Sequence, residues 1–242
     1  MSLSSNSLER LVPDRLSPVD VTGRETLELH LERYRFAARH ARAGRLLDIA
    51  CGVGYGSRLL RDESQQLDFA LGVDLCEESI AYARERYGRD GVEYRVGDAM
   101  QFENPEGFDT IVCLETVEHL PYPARLIDNL ESLLRPDGVL IASVPTTPSV
   151  DVNPHHLHDF TEKSFRRLFA QQPLEERACL RQAQPFGMTS ILRRSEARLA
   201  ELRPNLPRYY AMHPGAALRR LASTLRFGFV NCYITIAWQR CT

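Results

Sequence analysis

A glycine-rich stretch and two later acidic residues are the first candidates for chemistry in this 242-residue chain. Residues 48–56 read DIACGVGYG, and glycines let the backbone approach a ligand where a Cβ atom would collide. The start of the helix beyond this stretch favours an anion such as a carboxylate. Asp74 is placed to accept hydrogen bonds from both hydroxyls of a ribose, and Asp98 to meet an adenine amino group. Asp48, the first residue of the stretch, Asp74 and Asp98 could each instead cap the helix that follows. Their order along the chain nevertheless favours a nucleoside ligand.

A second group of candidates follows the apolar segment 108–114. The motif E-x-x-E-H places Glu115 on one side of a turn with either Glu118 or His119. Together with His156, these side chains could bind Mg²⁺, Mn²⁺ or a similar divalent ion, which would lower the pKa of an acceptor hydroxyl. His119 and His156 are also the favoured general bases, because imidazole titrates near neutral pH. In the alternative interpretation no metal binds, and the stretch NPHHLHDFT, which also holds His155 and His158, only caps a helix.

Apolar segments that alternate with helical segments must position these residues. A helix is expected over residues 24–43, followed by five strands and the helices between them. The five strands are expected at 45–50, 69–75, 92–96, 108–114 and 139–144, and the helices at 57–61, 77–87 and 124–134. Buried strands interleaved with helices predict a parallel sheet covered on both faces. The glycine-rich stretch and the acids then lie at the carboxyl ends of strands, where such sheets bind ligands.

The alternation ends after Pro145. We expect a helix near 161–170, a short strand at 178–183 and a last strand at 229–238. Residues 189–226 between them hold eight arginines and two glutamates, in a chain whose net charge is −2. This stretch is predicted to be helical with breaks near Pro204 and Pro214. We interpret it as a lid that recruits an anionic acceptor, or else as a solvated helical face.

Composition limits the class of protein. The chain is 43% hydrophobic and 26% charged, which is enough for a folded core. No apolar run is long enough to span a membrane, and the first residues show no secretory signal. Six scattered cysteines indicate reduced thiols and a cytoplasmic location. The near-neutral charge and the absence of a second nucleic-acid module weigh against RNA, and no DNA partner is expected. A homodimer is left open.

The motifs together resemble the class I S-adenosylmethionine-dependent methyltransferases. The resemblance rests on residues 48–56, GVDL (72–75), GDA (97–99), FDTIVCLETVEHL (108–120) and LLRPDGVLIASVP (133–145). It implies an α/β, Rossmann-like sheet of seven strands, mostly parallel with an antiparallel last strand and helices on both faces. The domain would span residues 24–242 behind an N-terminal arm at 1–23, with a helical lid inserted at about 186–226.

The same resemblance assigns roles at the site of the cofactor, S-adenosyl-L-methionine. Asp48, Gly52 and Gly54 would hold its methionine end, Asp98 and the Ala99 amide its adenine, and Leu114 would line the sulfonium. Ala50 and Leu75 complete the predicted cofactor site. Residues 30–37 also look like the corresponding helix of polysaccharide- and natural-product-pathway methyltransferases, where a tyrosine, here Tyr34, folds over the cofactor. The alternative is that Tyr34 packs in the core.

The predicted function is therefore methyl transfer to a small-molecule or glycan acceptor, at oxygen. The E-x-x-E-H motif is similar to that of ubiquinone-pathway O-methyltransferases and, with His156 and Thr161, to the metal site of RNA 3′-terminal 2′-O-methyltransferases. Two alternatives are an N-methyltransferase for small molecules and an RNA-terminal 2′-O-methyltransferase. A third is a partner protein that binds the cofactor without catalysis.

Overall fold

The fold is built on one mixed sheet of seven strands. The computed structural model describes residues 10–17, 20–185 and 201–241. The strands are β1 (Gly44–Ile49), β2 (Leu67–Asp74), β3 (Val92–Val96), β4 (Phe108–Leu114), β5 (Leu134–Pro145), β6 (Leu174–Pro185) and β7 (Val230–Arg240). Their order across the sheet is β3-β2-β1-β4-β5-β7-β6. The first five are parallel, and β7 is antiparallel to both β5 and β6. The predicted seven-stranded sheet with an antiparallel last strand is confirmed.

Helices cover both faces of this sheet. They are α1 (Val21–His40), α2 (Tyr55–Glu63), α3 (Glu77–Tyr87), α4 (Pro123–Ser132), α5 (Glu162–Leu168), α6 (Leu206–Met212) and α7 (Pro214–Phe227). Successive strand residues point to opposite faces. Leu46 therefore packs with α1 and α2, whereas Leu47 packs with α4 and α5. Both residues are fully buried, which explains why the strands read as continuous apolar runs.

Strand β5 begins five residues earlier than the sequence indicated. Leu134 pairs with Phe108, and the next pair is Val139 with Thr110, so residues 135–138 bulge out of the strand. The turn signal Pro136-Asp137-Gly138 lies in this bulge, and Asp137 has a positive φ of 61°. The local turn was therefore predicted correctly, but it interrupts a strand instead of preceding one.

Strand β6 forms one edge of the sheet and is longer than the predicted 178–183. Its outer side is charged and tied to α5, because Arg166 pairs with Glu176 at 2.7 Å and Arg181 pairs with Glu162 at 2.8 Å. Charges of this kind discourage an edge strand from pairing with another chain. Across the described ranges, no helix has the length and apolar character required to cross a bilayer.

Candidate functional site

The loop between β1 and α2 reverses the chain through backbone conformations that favour glycine. Ala50, Gly52 and Gly54 have positive φ values of 59°, 58° and 86°. A Cβ atom on Gly54 would lie 2.5 Å from the ring of Tyr94, so this glycine allows close packing. A Cβ atom on Gly52 would have no neighbour within 4 Å. The outer side of the loop at Gly52 is thus open, which fits a ligand lying against it.

Asp74 fixes the orientation of this loop. Its Oδ2 accepts a hydrogen bond from the Gly52 amide at 2.9 Å, and its Oδ1 accepts one from the Cys76 amide at 2.9 Å. Each oxygen keeps a second lone pair, so the carboxylate can also accept from two hydroxyls. The neighbouring Leu75 side chain is 71% exposed, which is unusual for a leucine beside a buried strand. This arrangement suits the predicted ribose site.

Asp48 is the buried acid of the loop. It is the next-to-last residue of β1 and is 1% exposed, and its Oδ2 accepts a 2.6 Å hydrogen bond from the Ser57 hydroxyl. Burial raises the pKa of Asp48 to about 7, against the opposing effect of hydrogen bonds from Ser57 and Tyr34. Tyr34 is itself buried, and its ring occupies the space that a Cβ atom on Gly56 would need. These contacts favour core packing for Tyr34, through which it supports the loop by way of Asp48.

Asp98 and Ala99 follow β3 but are engaged locally. Asp98 accepts from the Met100 amide at 2.9 Å and from the Gln101 side chain at 3.1 Å, which makes a tight turn. The Ala99 carbonyl accepts from Asn129 on α4 at 3.0 Å. Their predicted contact with adenine stays a prediction.

Glu115 does not join the predicted metal group. It follows Leu114 at the end of β4 with a positive φ of 48°. Its Oε1 accepts a 2.7 Å hydrogen bond from Ser143, and its Oε2 lies 3.6 Å from Nη1 of Arg33. Arg33 is almost fully buried and donates to Gln182 at 2.7 Å. Sequence reasoning missed Arg33, although a charged residue among the apolar positions of α1 was a usable signal.

Glu118, His119 and His156 do come together. One ligand atom from each lies within 4.8 Å of the others. The two imidazole rings are 4.6 Å apart and nearly perpendicular. His156 Nδ1 is 2.7 Å from the Ser149 hydroxyl, which orients this ring. The predicted pair of histidines therefore converges, from a 3-10 turn (Val117–His119) and from the loop after β5.

Glu118 is the unusual member of this group. Its side chain is 1% exposed, and neither carboxylate oxygen has a hydrogen-bond partner among the residues that the structure describes. Burial, together with the nearby Glu115 carboxylate, raises the pKa of Glu118. A buried carboxylate without a donor is costly. The position fits a carboxylate that pairs with an imidazolium or a bound cation.

The other two histidines of this stretch have structural contacts. His158 donates from Nε2 to the Leu120 carbonyl at 3.0 Å, and the His155 carbonyl oxygen lies 3.3 Å from Nδ1 of His119. At the end of this loop, Thr161 caps α5 in a reciprocal arrangement with Ser164, as the helix-cap interpretation expected. The stretch therefore both caps α5 and contributes His156 to the site.

The described part of the arginine-rich stretch is clamped to the same loop. Asp151, which is 2% exposed, accepts hydrogen bonds from Arg220 at 2.8 Å and from the Tyr210 hydroxyl at 2.6 Å. Arg203 donates to the Val150 and Asp151 carbonyls at 3.1 Å each. Helices α6 and α7 thus lie at the carboxyl-end edge of the sheet. Their starts agree with the predicted breaks, whereas Arg193, Arg194 and Arg198 lie outside the described residues.

Two arginines of the stretch contact residues of the same chain. The sequence had predicted that they select an anionic acceptor. Arg203 and Arg220 hold the Asp151 loop. Asp151 itself was missed because nothing in its local sequence marks it, and its partners are more than fifty residues away.

The sequence of this chain is similar to those of known proteins. A family model described as a methyltransferase domain matches residues 47–142. A Mycolicibacterium smegmatis protein named "Probable S-adenosylmethionine-dependent methyltransferase" is 30% identical over 175 residues, which cover 64% of this chain and 66% of that protein. A ubiquinone biosynthesis O-methyltransferase of Xylella fastidiosa is 37% identical over 103 residues, or 41% of each chain. The chain thus matches just under two thirds of the first relative and less than half of the second.

A solved structure extends the likeness to most of the fold. The N-methyltransferase NodS of Bradyrhizobium japonicum, in complex with S-adenosyl-L-homocysteine, superposes with a TM-score of 0.58 at 15% identity. The superposition covers 89% of this chain and 87% of NodS, and at this identity it shows the fold alone. The sheet order, the glycine-rich loop with its acids and the matched domain lead to one conclusion: residues 47–142 form a methyltransferase domain, and the chain is similar to class I S-adenosylmethionine-dependent methyltransferases.

Proposed function

We propose that this protein transfers a methyl group from S-adenosylmethionine to a hydroxyl oxygen of a small-molecule or glycan acceptor. The observation that carries the proposal is the pair His119 and His156 beside buried Glu118, just beyond the end of β4. Strand β4 pairs directly with β1, whose end carries the glycine-rich loop. A base is thus available at the same sheet edge as the predicted cofactor loop.

The residues of this site would divide the work as follows. S-adenosylmethionine supplies an electrophilic methyl group on its sulfonium. Asp74 and the open backbone at Gly52 hold the nucleoside and methionine parts, which leaves the acceptor to be aligned. His119 or His156 takes the proton of the acceptor hydroxyl as the new C–O bond forms and the C–S bond breaks. The Glu118 carboxylate then stabilises the imidazolium ion.

The names of the relatives support oxygen as the methylated atom, with nitrogen as the alternative. The ubiquinone-pathway relatives are named O-methyltransferases, whereas NodS is named an N-methyltransferase. An amine needs less help from a base than a hydroxyl does. The two classes should therefore respond differently to loss of the histidines.

The test is a methyl-transfer assay that follows S-adenosylhomocysteine formation across four acceptor classes: catechol-type phenols, sugar nucleotides including uronates, small amines and 3′-terminal RNA oligonucleotides. We expect transfer to a hydroxyl compound. His119→Ala and His156→Ala should lower kcat by about 10²–10⁴-fold, the usual contribution of a general base, and leave cofactor affinity unchanged. His40→Ala, at the opposite end of the sheet, is the matched control.

Other outcomes would contradict the proposal. Methylation of an amine that survives both histidine changes would favour the N-methyltransferase. Methylation of the RNA oligonucleotide alone would favour the RNA-terminal enzyme. Cofactor binding without transfer to any acceptor would favour the partner protein that only binds the cofactor.

A divalent metal at Glu118, His119 and His156 is a second proposal. It is favoured by the convergence of their ligand atoms and by the unpaired Glu118 carboxylate. Two imidazoles and one carboxylate suit Mn²⁺ better than Mg²⁺, which prefers oxygen ligands. A bound ion would lower the pKa of an acceptor hydroxyl. Titration with Mn²⁺, followed by electron paramagnetic resonance, should show one site that His156→Ala weakens; equal binding by both proteins would contradict it.

The described helices α6 and α7 are proposed to be part of a lid over the acceptor, within a domain that spans residues 24–242. The support is their attachment through Asp151 to the loop that carries His156. Selection of an anionic acceptor would then depend on other arginines than Arg203 and Arg220. A cytoplasmic location and a homodimer stay predictions from the sequence.

A further inference from the structure

Helix α7 carries its apolar residues on its outer face. Leu218, Leu221 and Leu225 are 67%, 56% and 80% exposed. At about 100° per residue they fall within about 60° of one another around the helix axis. They form one continuous apolar stripe, which we call the leucine face.

The opposite side of α7 contacts the rest of the protein. Ala216 is buried there, and Arg220 holds the buried Asp151. The helix is therefore fixed with polar contacts inward and leucines outward, the reverse of the usual orientation of a surface helix. Since Arg220 locks this rotation, the leucine face cannot turn inward without breaking the Asp151 contacts.

Further exposed apolar residues lie at both ends of the helix. Met212 is 66% exposed before it, and Phe227 and Phe229 are 44% and 59% exposed at its end and beyond. Exposed apolar residues elsewhere in the described ranges are scattered along the chain. A concentrated patch of this kind marks an interaction surface.

Charge identifies the partner. From residue 202 to residue 242 the sequence has six arginines and neither aspartate nor glutamate. Arg219 and Arg226 are exposed on α7 beside the leucine face, and Arg219 also lies 3.7 Å from the Asp159 carboxylate. Basic residues next to a leucine-rich face are typical of helices that lie in the interface of anionic membranes. A second copy of this chain would instead bring like charges together.

We propose that α7 docks this protein on the surface of an anionic phospholipid bilayer, with the leucine face inserted among the headgroups. Arg219 and Arg226 contact lipid phosphates beside it. The docking proposal rests on the exposed face of α7, whereas methyl transfer rests on His119, His156 and the cofactor loop, so the two proposals can fail separately.

The test is flotation of the full chain with vesicles of phosphatidylcholine and phosphatidylglycerol, compared with vesicles of phosphatidylcholine alone. The wild-type chain should float with the anionic vesicles only. The triple variant Leu218→Ser, Leu221→Ser, Leu225→Ser should bind at least about tenfold more weakly, because each buried leucine favours insertion. The replaced side chains are exposed, so circular dichroism should show an unchanged fold.

Two further variants separate the contributions. The double variant Arg219→Gln, Arg226→Gln should lose several-fold in affinity and much of its salt dependence. The control Val21→Ser, at an exposed apolar residue on α1, should bind like the wild type.

Three results would overturn the proposal. The first is that the wild-type chain fails to float with anionic vesicles. The second is that the leucine variant binds them as well as the wild type. The third is a dimer, detected by light scattering, that depends on the leucine face while vesicle binding is absent; the face would then bind a second copy.

Discussion

Replacing Asp74 with alanine should weaken the binding of S-adenosylmethionine by about 2–4 kcal/mol. Two charge-assisted hydrogen bonds to the ribose would be lost, each worth about 1.5–3 kcal/mol, and water would recover part of that sum. The carboxylate is already oriented by the Gly52 and Cys76 amides, each at 2.9 Å, so little reorganisation offsets the gain on binding. At about 1.4 kcal/mol for each factor of ten, the dissociation constant should rise about 30- to 1,000-fold.

Isothermal titration calorimetry can measure this change with both S-adenosylmethionine and S-adenosylhomocysteine. The two ligands share the ribose, so Asp74→Ala should weaken both equally. Asp74→Asn keeps the shape and one acceptor oxygen, and we expect an intermediate loss. Asp68→Ala, which removes an exposed carboxylate near the start of the same strand, is the control.

Loss of the Gly52 contact could also loosen the loop, so thermal unfolding of each free protein should accompany the titrations. The ribose assignment is wrong if folded Asp74→Ala binds both ligands as tightly as Asp68→Ala does. It is also wrong if only one of the two ligands is affected.

Three further predictions concern stability. Because the pKa of Asp48 is raised to about 7 from about 3.8, the folded state keeps a proton that the unfolded state releases, and stability should fall as pH rises between those values. When unfolding free energy is measured with urea at several pH values, Asp48→Asn should make its fall with pH less steep by up to about 1.4 kcal/mol per pH unit. Gly56→Ala should lower the free energy of unfolding by about 1–3 kcal/mol, because the new Cβ atom collides with the Tyr34 ring. In a Tyr34→Ala background the loss should be smaller, and thermal unfolding can measure both. Arg220→Ala should lower the free energy of unfolding, measured with urea, by about 2–4 kcal/mol, because the buried Asp151 carboxylate loses its cation.

Each of these predictions has a contrary result. Parallel pH profiles for the wild type and Asp48→Asn would show that the pKa of Asp48 is the same in the folded and unfolded states. An unchanged penalty for Gly56→Ala without the Tyr34 ring would place the strain elsewhere. For Arg220, the control is Arg226→Ala on the exposed side of the same helix, and equal losses for the two would contradict the clamp.

Local patterns were enough to predict the elements that form the sheet edge of the site. Residues 77–87, 92–96 and 108–114 have the predicted bounds, because apolar periodicity and flanking glycines such as Gly88 agree with the tertiary contacts. The loop conformation also followed from residue types, since Gly52 and Gly54 adopt the positive φ values that glycine favours.

The side-chain grouping after β4 was only partly predictable. The E-x-x-E-H spacing placed Glu115 and Glu118 on one side of a turn, but the 3-10 turn begins at Val117, after the left-handed residue Glu115. The Glu115 side chain therefore reaches Ser143 and Arg33. Such a contact depends on residues far away along the chain, and no local pattern contains it.

The position of β7 between β5 and β6 determines when the sheet can be completed during synthesis. Strand β6 has only β7 as a neighbour in the described sheet, and β7 begins at Val230, well after β6 ends at Pro185. At about 5–20 residues per second, the ribosome needs on the order of several seconds to make the intervening chain. Strand β6 must spend that interval unpaired, and its charged residues, Glu175, Glu176, Arg177 and Arg181, discourage pairing with another strand. The parallel strands β1 to β5 can form their core first. Strand β7 then pairs with β5 on one side and with β6 on the other, which completes the sheet.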